Sequence, residues 1–382
     1  MKPSLLAFYF AFAVILSVAQ QSVLAQSLSS GEPLEEVAEL IDALGSASFA
    51  ERQKASLALQ ARGEEVVQPL KVAIASSDPE TQNRAISILG QLAVSANPAC
   101  QKQAQNVLIG LTQAEDRVVR QLALATIKQM GAVMQNRAIE QLRTVGAEVK
   151  TNETYGGPSR LMSYDIMIGP DFRGNLTDIE MLPWLEGQTK LTLIGEKIND
   201  EIIAAVALMP SLYWLIIKRG TLTNQSVTAL RNAKALRYLH FYYVPIDDQA
   251  AETLVELKNL LQLRLFGTRV SREKGAWAQQ AMANTDVDWR NGAFLGIYFN
   301  DTEGPCEVSD VVKDSAADKA GFRAGDRVVW FATKQIQTGK QFLGSVADFN
   351  PGDRVKCGVM RMGKELELEL VLGRFPDVEK MK

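Results

Sequence analysis

The sequence of 382 residues predicts a multidomain chain of α and α+β class, in which three regions have different patterns. Apolar residues recur at helical spacing from Pro33 to about Val149. A strand-forming template then returns every 24 residues from Gln188 onwards. Near the C-terminus, "DSAADKAGFRAGDRVVWF" from Asp314 places an alanine-rich helical turn and a Gly-Asp pair before an apolar strand. We therefore expect a helical solenoid, a strand-helix solenoid, and a small β-sandwich or barrel with two helices.

The first 25 residues have the pattern of a secretory signal peptide. Lys2 precedes an unbroken apolar stretch from Leu5 to Leu16, and Val23-Leu24-Ala25 resembles a cleavage site. The apolar stretch is short for a membrane span. We predict an exported protein that begins near Gln26 and is periplasmic, attached to the cell envelope or secreted. The alternative is an uncleaved anchor, which is the one case that implies membrane attachment.

Composition argues against several classes of function. Hydrophobic content of 47% and charged content of 22% are ordinary for a globular protein. The net charge of −3, without a basic stripe, argues against nucleic-acid binding. The three cysteines, Cys100, Cys306 and Cys357, have neither metal-site spacing nor the number of a disulfide framework. We expect buried thiols, with a Cys306–Cys357 bridge as the alternative, and no metal or cofactor.

Residues 33–149 contain related helical segments. "RQKASLALQARG" from Arg52 and "RQLALATIKQMG" from Arg120 share Arg, Gln, Ala, an aliphatic residue and Gly at equivalent places. Asp78-Pro79 predicts a helix N-cap followed by proline at the first helical position. This region resembles HEAT repeats, in which each helix pair buries its apolar face against the next. A non-repeating helical bundle is the alternative.

Residues 150–287 contain a repeated template, L-x-x-L-x-Φ-x-x-x-x-Φ, in which Φ is apolar. Four consecutive segments follow it, with Gln188 as the one departure at the first place: "QTKLTLIGEKI" from Gln188, "LYWLIIKRGTL" from Leu212, "LRYLHFYYVPI" from Leu236 and "LLQLRLFGTRV" from Leu260. This region resembles bacterial leucine-rich repeats, and the resemblance implies strand-turn-helix units stacked into a curved solenoid. The usual polar residue at the ninth place is present only as Glu196 and Thr268, which leaves the polar ladder of the family open. The glycine-rich stretch from Glu153 is predicted to be an irregular linker or an irregular first turn.

Alternation along these strands predicts one exposed sheet surface. The fourth and sixth template positions point into the core, so the third, fifth and seventh point outward on the concave side. The predicted partner surface consists of Trp214, Ile216, Tyr238, His240, Tyr242, Arg264 and Phe266. Clustered exposed aromatic residues are typical of interfaces. The alternative is that a neighbouring domain covers this face.

Residues 288–375, followed by a tail at 376–382, contain three distinctive segments. They are "GAFLGIYF" from Gly292, the stretch from Asp314 quoted above, and "NPGDRVKCGVMR" from Asn350. On these segments the region resembles a PDZ domain of the HtrA type. Gly321 is suited to end the short helix in the left-handed conformation, and the carboxylate of Asp326 can accept backbone hydrogen bonds in the next turn. We therefore expect the Asp314 stretch to maintain the fold, with the functional residues elsewhere in the domain.

The resemblance implies a peptide groove. The N–H groups of Leu295, Gly296 and Ile297 would bind a terminal carboxylate, with Gly296 allowing close approach, and the following strand would pair with the peptide by β-augmentation. A helix from Thr338 to Val346 would form the other wall. The predicted peptide-binding residues are Phe294, Leu295, Gly296, Ile297, Tyr298, Phe299, Phe342, Leu343 and Val346. Burial of these apolar residues as ordinary core is the alternative.

Catalytic motifs are missing from the sequence. His240 is the single histidine, and no G-x-S-x-G, H-E-x-x-H or phosphate-binding loop motif is present. We expect an exported, non-catalytic adaptor that binds proteins or peptides, with free C-termini as preferred ligands and no small-molecule substrate. The alternative is a non-catalytic regulatory or substrate-delivery component of an envelope protease.

Overall fold

The computed structural model describes residues 33–75, 78–156 and 159–376. The predicted signal peptide and the last six residues of the tail lie outside these ranges. No helix within them is both long and apolar enough to cross a membrane. The chain divides into two compact units, Met1–Val133 and Met134–Lys382.

The described part of the first unit is helical. Its helices are α1 (Pro33–Asp42), α2 (Phe49–Arg62), α3 (Val67–Ala73), α4 (Pro79–Leu92), α5 (Pro98–Leu111) and the first part of α6 (Arg117–Thr144), with 3-10 turns at Ala43–Gly45 and Gly63–Val66. The side chain of Asp78 accepts hydrogen bonds from the N–H groups of Glu80 and Thr81, and Pro79 occupies the first turn of α4. The predicted N-cap is therefore confirmed. The assignment to HEAT repeats stays a prediction.

The second unit contains a seven-stranded sheet whose strands follow chain order. The strands are β1 (Glu148–Gly156), β2 (Ser159–Ile168), β3 (Gln188–Ile194), β4 (Leu212–Lys218), β5 (Tyr238–Tyr242), β6 (Gln262–Phe266) and β7 (Asp286–Arg290). β1 and β2 are antiparallel, and each later strand runs parallel to the one before it. The connections contain α7 (Leu176–Ile179), α8 (Asp200–Val206), α9 (Asn224–Ala229), α10 (Asp248–Leu254) and α11 (Arg272–Ala281), with 3-10 turns at Leu182–Trp184 and Leu230–Asn232.

The helices cover one face of this sheet. Alternate strand residues such as Leu191, Leu215 and Leu239 join helix residues such as Val206 and Leu254 in one buried core. The other alternate residues point to the opposite side, which we call the helix-free face. This alternation agrees with the predicted inward and outward positions. Membership of the leucine-rich repeat family stays a prediction.

The structure corrects the prediction for the glycine-rich stretch from Glu153. As far as Ile168 this stretch is not an irregular linker, because its described residues belong to the antiparallel hairpin of β1 and β2. The physical reason is visible in β2, where Tyr164, Ile166 and Ile168 alternate into the core. β2 also pairs with β3, and the alternative of an irregular first solenoid turn stays a prediction.

At the other end of the sheet, β7 pairs with β6, so the predicted boundary at residue 288 falls within a strand.

A polar ladder runs along the starts of the helices. The N-cap residues recur every 24 residues and are Asn175, Asn199, Thr223, Asp247 and Ser271. The carboxylate of Asp200 accepts from the N–H of Thr223 at 2.9 Å, and that of Asp248 accepts from the N–H of Ser271 at 2.6 Å. In these two cases the residue after one N-cap binds the N-cap residue of the next turn, and these positions lie outside the ninth template position.

The C-terminal part of the second unit contains two small sheets and two helices. Its elements are β8 (Ile297–Phe299), β9 (Val308–Val311), α12 (Ala316–Ala320), β10 (Arg327–Phe331), β11 (Lys334–Gln335), α13 (Gly339–Val346), β12 (Arg354–Arg361) and β13 (Lys364–Val371). One sheet has the order β11-β10-β12-β13, and the other pairs β8 with β9. Phe331 and Phe342 lie at the centre of the core, with their ring centroids 5.1 Å apart.

The Asp314 stretch maintains this fold. Gly321 ends α12 at a φ of 85°, as predicted. The buried carboxylate of Asp326 accepts the N–H of Arg323 at 2.9 Å and is held by the guanidinium of Arg361 through two contacts of 2.7 Å. These contacts lock the turn before β10, and they raise the pKa of Arg361 through the hydrogen bond with Asp326.

Candidate peptide-binding site

The loop before β8 has three carbonyl groups that are already bonded to the domain. The carbonyl of Phe294 accepts from the N–H of Gly373 at 2.9 Å, and that of Leu295 accepts from the N–H of Ala317 at 2.9 Å. The carbonyl of Gly296 accepts from the N–H of Val312 at 2.8 Å. The backbone orientation of the loop is therefore set by three separate partners.

These bonds turn three successive N–H groups away from the segments that hold the loop. In a trans peptide the N–H points opposite to the preceding carbonyl. The N–H groups of Leu295, Gly296 and Ile297 consequently point away from Gly373, Ala317 and Val312. In the part of the chain that the structure describes, Leu295 and Gly296 have no acceptor for these groups. Unengaged neighbouring N–H groups are suited to bind a carboxylate.

The edge of β8 supports the same geometry. Ile297 lies opposite Val311 in the antiparallel pairing with β9. The preceding pair, Gly296 and Val312, is hydrogen-bonded, because the carbonyl of Gly296 accepts from the N–H of Val312. Because bonded and non-bonded pairs alternate in such a ladder, the N–H and carbonyl of Ile297 face away from β9. Sheet pairing of β8 within the described residues involves β9 alone. Its outer edge can therefore accept an extended peptide.

Helix α13 lies beside this edge. An added Cβ at Gly339 would lie 3.0 Å from the Cα of Thr302, so the helix begins against the loop that follows β8. Leu343 is one turn further along the same helix face and is partly exposed. The rings of Phe299 and Phe342 lie 5.7 Å apart, which ties the strand to the helix. Leu343 is the one apolar residue of α13 that is partly exposed, and its contact with a peptide on β8 stays a prediction.

The predicted site residues separate into two groups. Leu295, Phe342 and Val346 are buried in the domain core. Their side chains therefore agree with the alternative prediction, in which these apolar residues are ordinary core. Phe294, Ile297, Phe299 and Leu343 are partly exposed, and Tyr298 is 58% exposed. The ring of Phe294 packs on Phe375, with a centroid distance of 4.7 Å.

The structure changes the explanation for Gly296. Its φ is 88°, and an added Cβ would lie 2.3 Å from the Cβ of Ser315. The close approach that requires glycine is therefore made by the N-cap residue of α12, and not by a peptide. A bulky residue at 296 is therefore expected to distort the domain.

The helix-free face differs from the predicted exposed surface. His240, Tyr242 and Phe266 are 2%, 5% and 2% exposed, so their placement on an exposed patch was wrong. The ring of Phe375 packs on Tyr242 and Phe266 at 5.3 and 5.2 Å, and the Nζ of Lys218 donates to the carbonyl of Pro376 at 2.8 Å. The segment after β13 covers this end of the face, as the covered-face alternative anticipated. Trp214, Ile216, Tyr238 and Arg264 remain partly exposed.

His240 is held as a neutral side chain. The amide nitrogen of Gln262 donates to Asp286 at 2.8 Å, so the amide oxygen faces His240 Nε2, also at 2.8 Å. In this network Nε2 carries the ring proton. Burial, together with the nearby positive charge of Arg264, lowers the pKa of His240 to about 4.

Cys306 and Cys357 are free thiols that are fully buried. Burial raises the pKa of each to about 12. Cys100 is also a buried free thiol. The expected buried thiols are therefore confirmed, and the structure does not contain the alternative bridge.

Known proteins share this C-terminal arrangement. Residues 293–372 match the PDZ domain family. A probable periplasmic serine endoprotease, DegP-like, from Chlamydia pneumoniae is 34% identical over 74 residues, which cover 19% of this chain and 15% of that protein. The periplasmic pH-dependent serine endoprotease DegQ of Escherichia coli is 37% identical over 65 residues, which cover 17% of this chain and 14% of that protein. The solved HtrA-type protease AlgW with decapeptide is 20% identical, covers 28% of this chain and 35% of its own, and has a TM-score of 0.22.

The C-terminal part of this chain is thus a small domain of strands and two helices built around an open strand edge. It is a PDZ domain of the HtrA and DegP type. The matched region spans 15% and 14% of the lengths of the two curated relatives.

Proposed function

We propose that this chain is an exported, non-catalytic adaptor whose PDZ domain binds extended peptides, with free C-termini preferred. The observation that carries the proposal is the set of three outward N–H groups, on Leu295, Gly296 and Ile297, beside the unpaired edge of β8. A terminal carboxylate would accept from the loop, and the preceding peptide backbone would pair with β8. Main-chain pairing of this kind makes little demand on peptide sequence.

The state of His240 supports the non-catalytic part of the proposal. It is the single histidine of the chain, and it lies buried on the sheet with its Nε2 engaged by Gln262. A Ser-His-Asp mechanism needs a histidine that can accept a proton from a nucleophile. A histidine whose pKa is about 4 and whose Nε2 proton is already donated to an amide is unsuited to that task.

Export is supported by the signal-peptide pattern of residues 1–25 and by the periplasmic location stated for the relatives. The helical unit and the sheet would then supply further protein-binding surfaces.

A second candidate function is a regulatory or substrate-delivery component of an envelope protease. It is favoured by the relatives, which are described as serine endoproteases. Addition of the purified chain to such a protease distinguishes the two functions. Faster hydrolysis of an unfolded substrate would support this second function, whereas unchanged hydrolysis with retained peptide binding would support the adaptor.

The proposal can be tested by fluorescence anisotropy with the full chain. Labelled peptides with an apolar last residue would be compared as free acids and as C-terminal amides. We expect the free acid to bind at least about tenfold more tightly, because a charged hydrogen-bond acceptor is lost in the amide.

The matched variants are Leu343→Arg, on the wall of the groove, and Met362→Arg, at a turn residue that is 99% exposed. Leu343→Arg should reduce affinity while Met362→Arg retains it, with similar unfolding temperatures for both. Equal binding of acid and amide, unaffected by Leu343→Arg, would reject the groove as the binding site.

A further inference from the structure

We propose that the helix-free face carries a second binding site, centred on Arg264, which takes a carboxylate side chain from an acidic segment of a partner protein. This site lies on the seven-stranded sheet and is separate from the groove between β8 and α13. Its existence does not depend on peptide binding by the PDZ domain.

The guanidinium of Arg264 has no acceptor among the described residues. Its Nε is shielded from solvent and makes no hydrogen bond, although the residue as a whole is partly exposed. Arginine carries N–H donors in a planar fork and cannot lose its charge in proteins. An unsatisfied charged donor is costly, so an acceptor brought by a partner would be favourable.

The neighbouring carboxylates are already engaged. Asp288 is directly opposite Arg264 in the pairing of β6 with β7, but both of its oxygens accept from Arg290, at 2.9 and 2.6 Å. Asp286 accepts from the amide of Gln262 at 2.8 Å. On the neighbouring strand β5, His240 is paired with Arg264, and its ring is neutral. The positive charge of Arg264 is therefore left without a paired carboxylate within the sheet.

The other basic side chains that β3 to β7 place on this face have partners. Lys190 pairs with Asp165 at 3.2 Å, and Lys218 donates to the carbonyl of Pro376. Phe375 fills the space beside Tyr242 and Phe266. Between β3 and β7, the basic group left open to a partner is consequently Arg264, and charge complementarity there requires an anion.

An aromatic platform near Arg264 points to a polypeptide as the source of that anion. Trp214 and Tyr238 are partly exposed, and their ring centroids lie 5.0 Å apart. The Trp214 ring also contacts His240, the register neighbour of Arg264, at 5.4 Å. The indole Nε1 of Trp214 is another buried donor that finds no acceptor among the described residues. Tryptophan, tyrosine and arginine together are the residues that dominate binding energy at protein interfaces. An apolar side chain next to an Asp or Glu would use both parts of the site.

The test uses the full chain and a pair of labelled peptides that differ only in Glu or Gln beside a leucine. Both peptides are N-acetylated and C-amidated, so that neither offers a terminal carboxylate to the PDZ loop. We expect the Glu peptide to bind at least about tenfold more tightly than the Gln peptide, with affinity falling as salt is added.

Arg264→Gln should remove the preference for the Glu peptide, and Arg264→Lys should restore part of it because charge returns without the planar fork. The matched control is Arg231→Gln, since Arg231 is exposed and pairs with Glu256 away from this face. Leu343→Arg should leave binding of the Glu peptide unchanged, which separates this site from the groove.

A second readout comes from the Hε1 resonance of His240, which is unambiguous because the chain has a single histidine. The Glu peptide should shift this resonance in the native chain and leave it in place in Arg264→Gln. Three results would overturn the proposal: no binding of the Glu peptide at millimolar concentration, equal affinity for the two peptides, or unchanged preference in Arg264→Gln.

Discussion

Acidification should destabilise the second unit through one side chain, His240. Burial and the charge of Arg264 lower its pKa to about 4, whereas an unfolded histidine has a pKa of about 6.5. Lys218 lowers the pKa further, while Asp286 and the hydrogen bond with Gln262 oppose the change. In the folded protein the neutral ring is favoured, so the unfolded chain binds the proton more readily.

The sign and size of the effect follow from proton linkage. A depressed pKa adds stability that is fully present above about pH 6.5 and is lost as the pH falls toward 4. With the pKa lowered from about 6.5 to about 4, the free energy of unfolding should drop by about 2 kcal/mol at pH 5 and about 3 kcal/mol at pH 4. Other groups contribute to the total acid sensitivity, so a comparison with His240→Gln is needed to isolate this residue.

The direct assay is a nuclear magnetic resonance titration of ring-labelled histidine. The His240 resonance should move with a midpoint near pH 4 in the native chain. In parallel, urea unfolding of the second unit between pH 7.5 and pH 4 should show a loss of stability that is about 3 kcal/mol larger in the native chain than in His240→Gln. Glutamine keeps a donor for the amide oxygen of Gln262 and does not titrate.

A midpoint near pH 6.5 would refute this reasoning, because it would mean that His240 is solvated and distant from Arg264. Equal acid sensitivity of the native chain and His240→Gln would refute it as well. The variant Arg264→Gln supplies an internal check, since removal of the nearby positive charge should raise the midpoint.

Three further variants test the packing that holds the PDZ domain in place. Gly296→Ala should cost more than about 2 kcal/mol in the free energy of unfolding, because its Cβ would meet Ser315. The double variant Gly296→Ala with Ser315→Gly should recover part of this loss. An unchanged urea midpoint for the single variant would contradict the prediction. Asp326→Asn should cost about 3 kcal/mol, since it leaves Arg361 without its buried carboxylate; calorimetry with no shift would show that the pair is unimportant. Phe375→Ala should lower the free energy of unfolding of the second unit by about 2 kcal/mol, because its ring contacts are lost. If the variant and the native chain gave identical unfolding curves by tryptophan fluorescence, the Phe375 ring would not stabilise this unit.

The sequence patterns predicted many local elements correctly because these depend on neighbouring residues. The Pro79 helix start, the left-handed Gly321 and the inward alternation of Leu191 follow from capping, backbone sterics and strand periodicity. The interpretation of the stretch from Glu153 as a linker was wrong up to Ile168, because its glycines suggested a linker while the burial of Ile166 and its neighbours favours a strand.

Sequence alone therefore indicated the order of the strands and helices of the PDZ domain, and the resemblance to that family predicted which loop binds a carboxylate. Only the tertiary structure decided that Gly296 is required by Ser315, that Phe375 covers part of the sheet, and that Arg264 is left without an acceptor. The physical reason is range. Periodicity and turn chemistry act over a few residues, whereas a clash, a covered face or an unpaired charge depends on which distant segments come into contact.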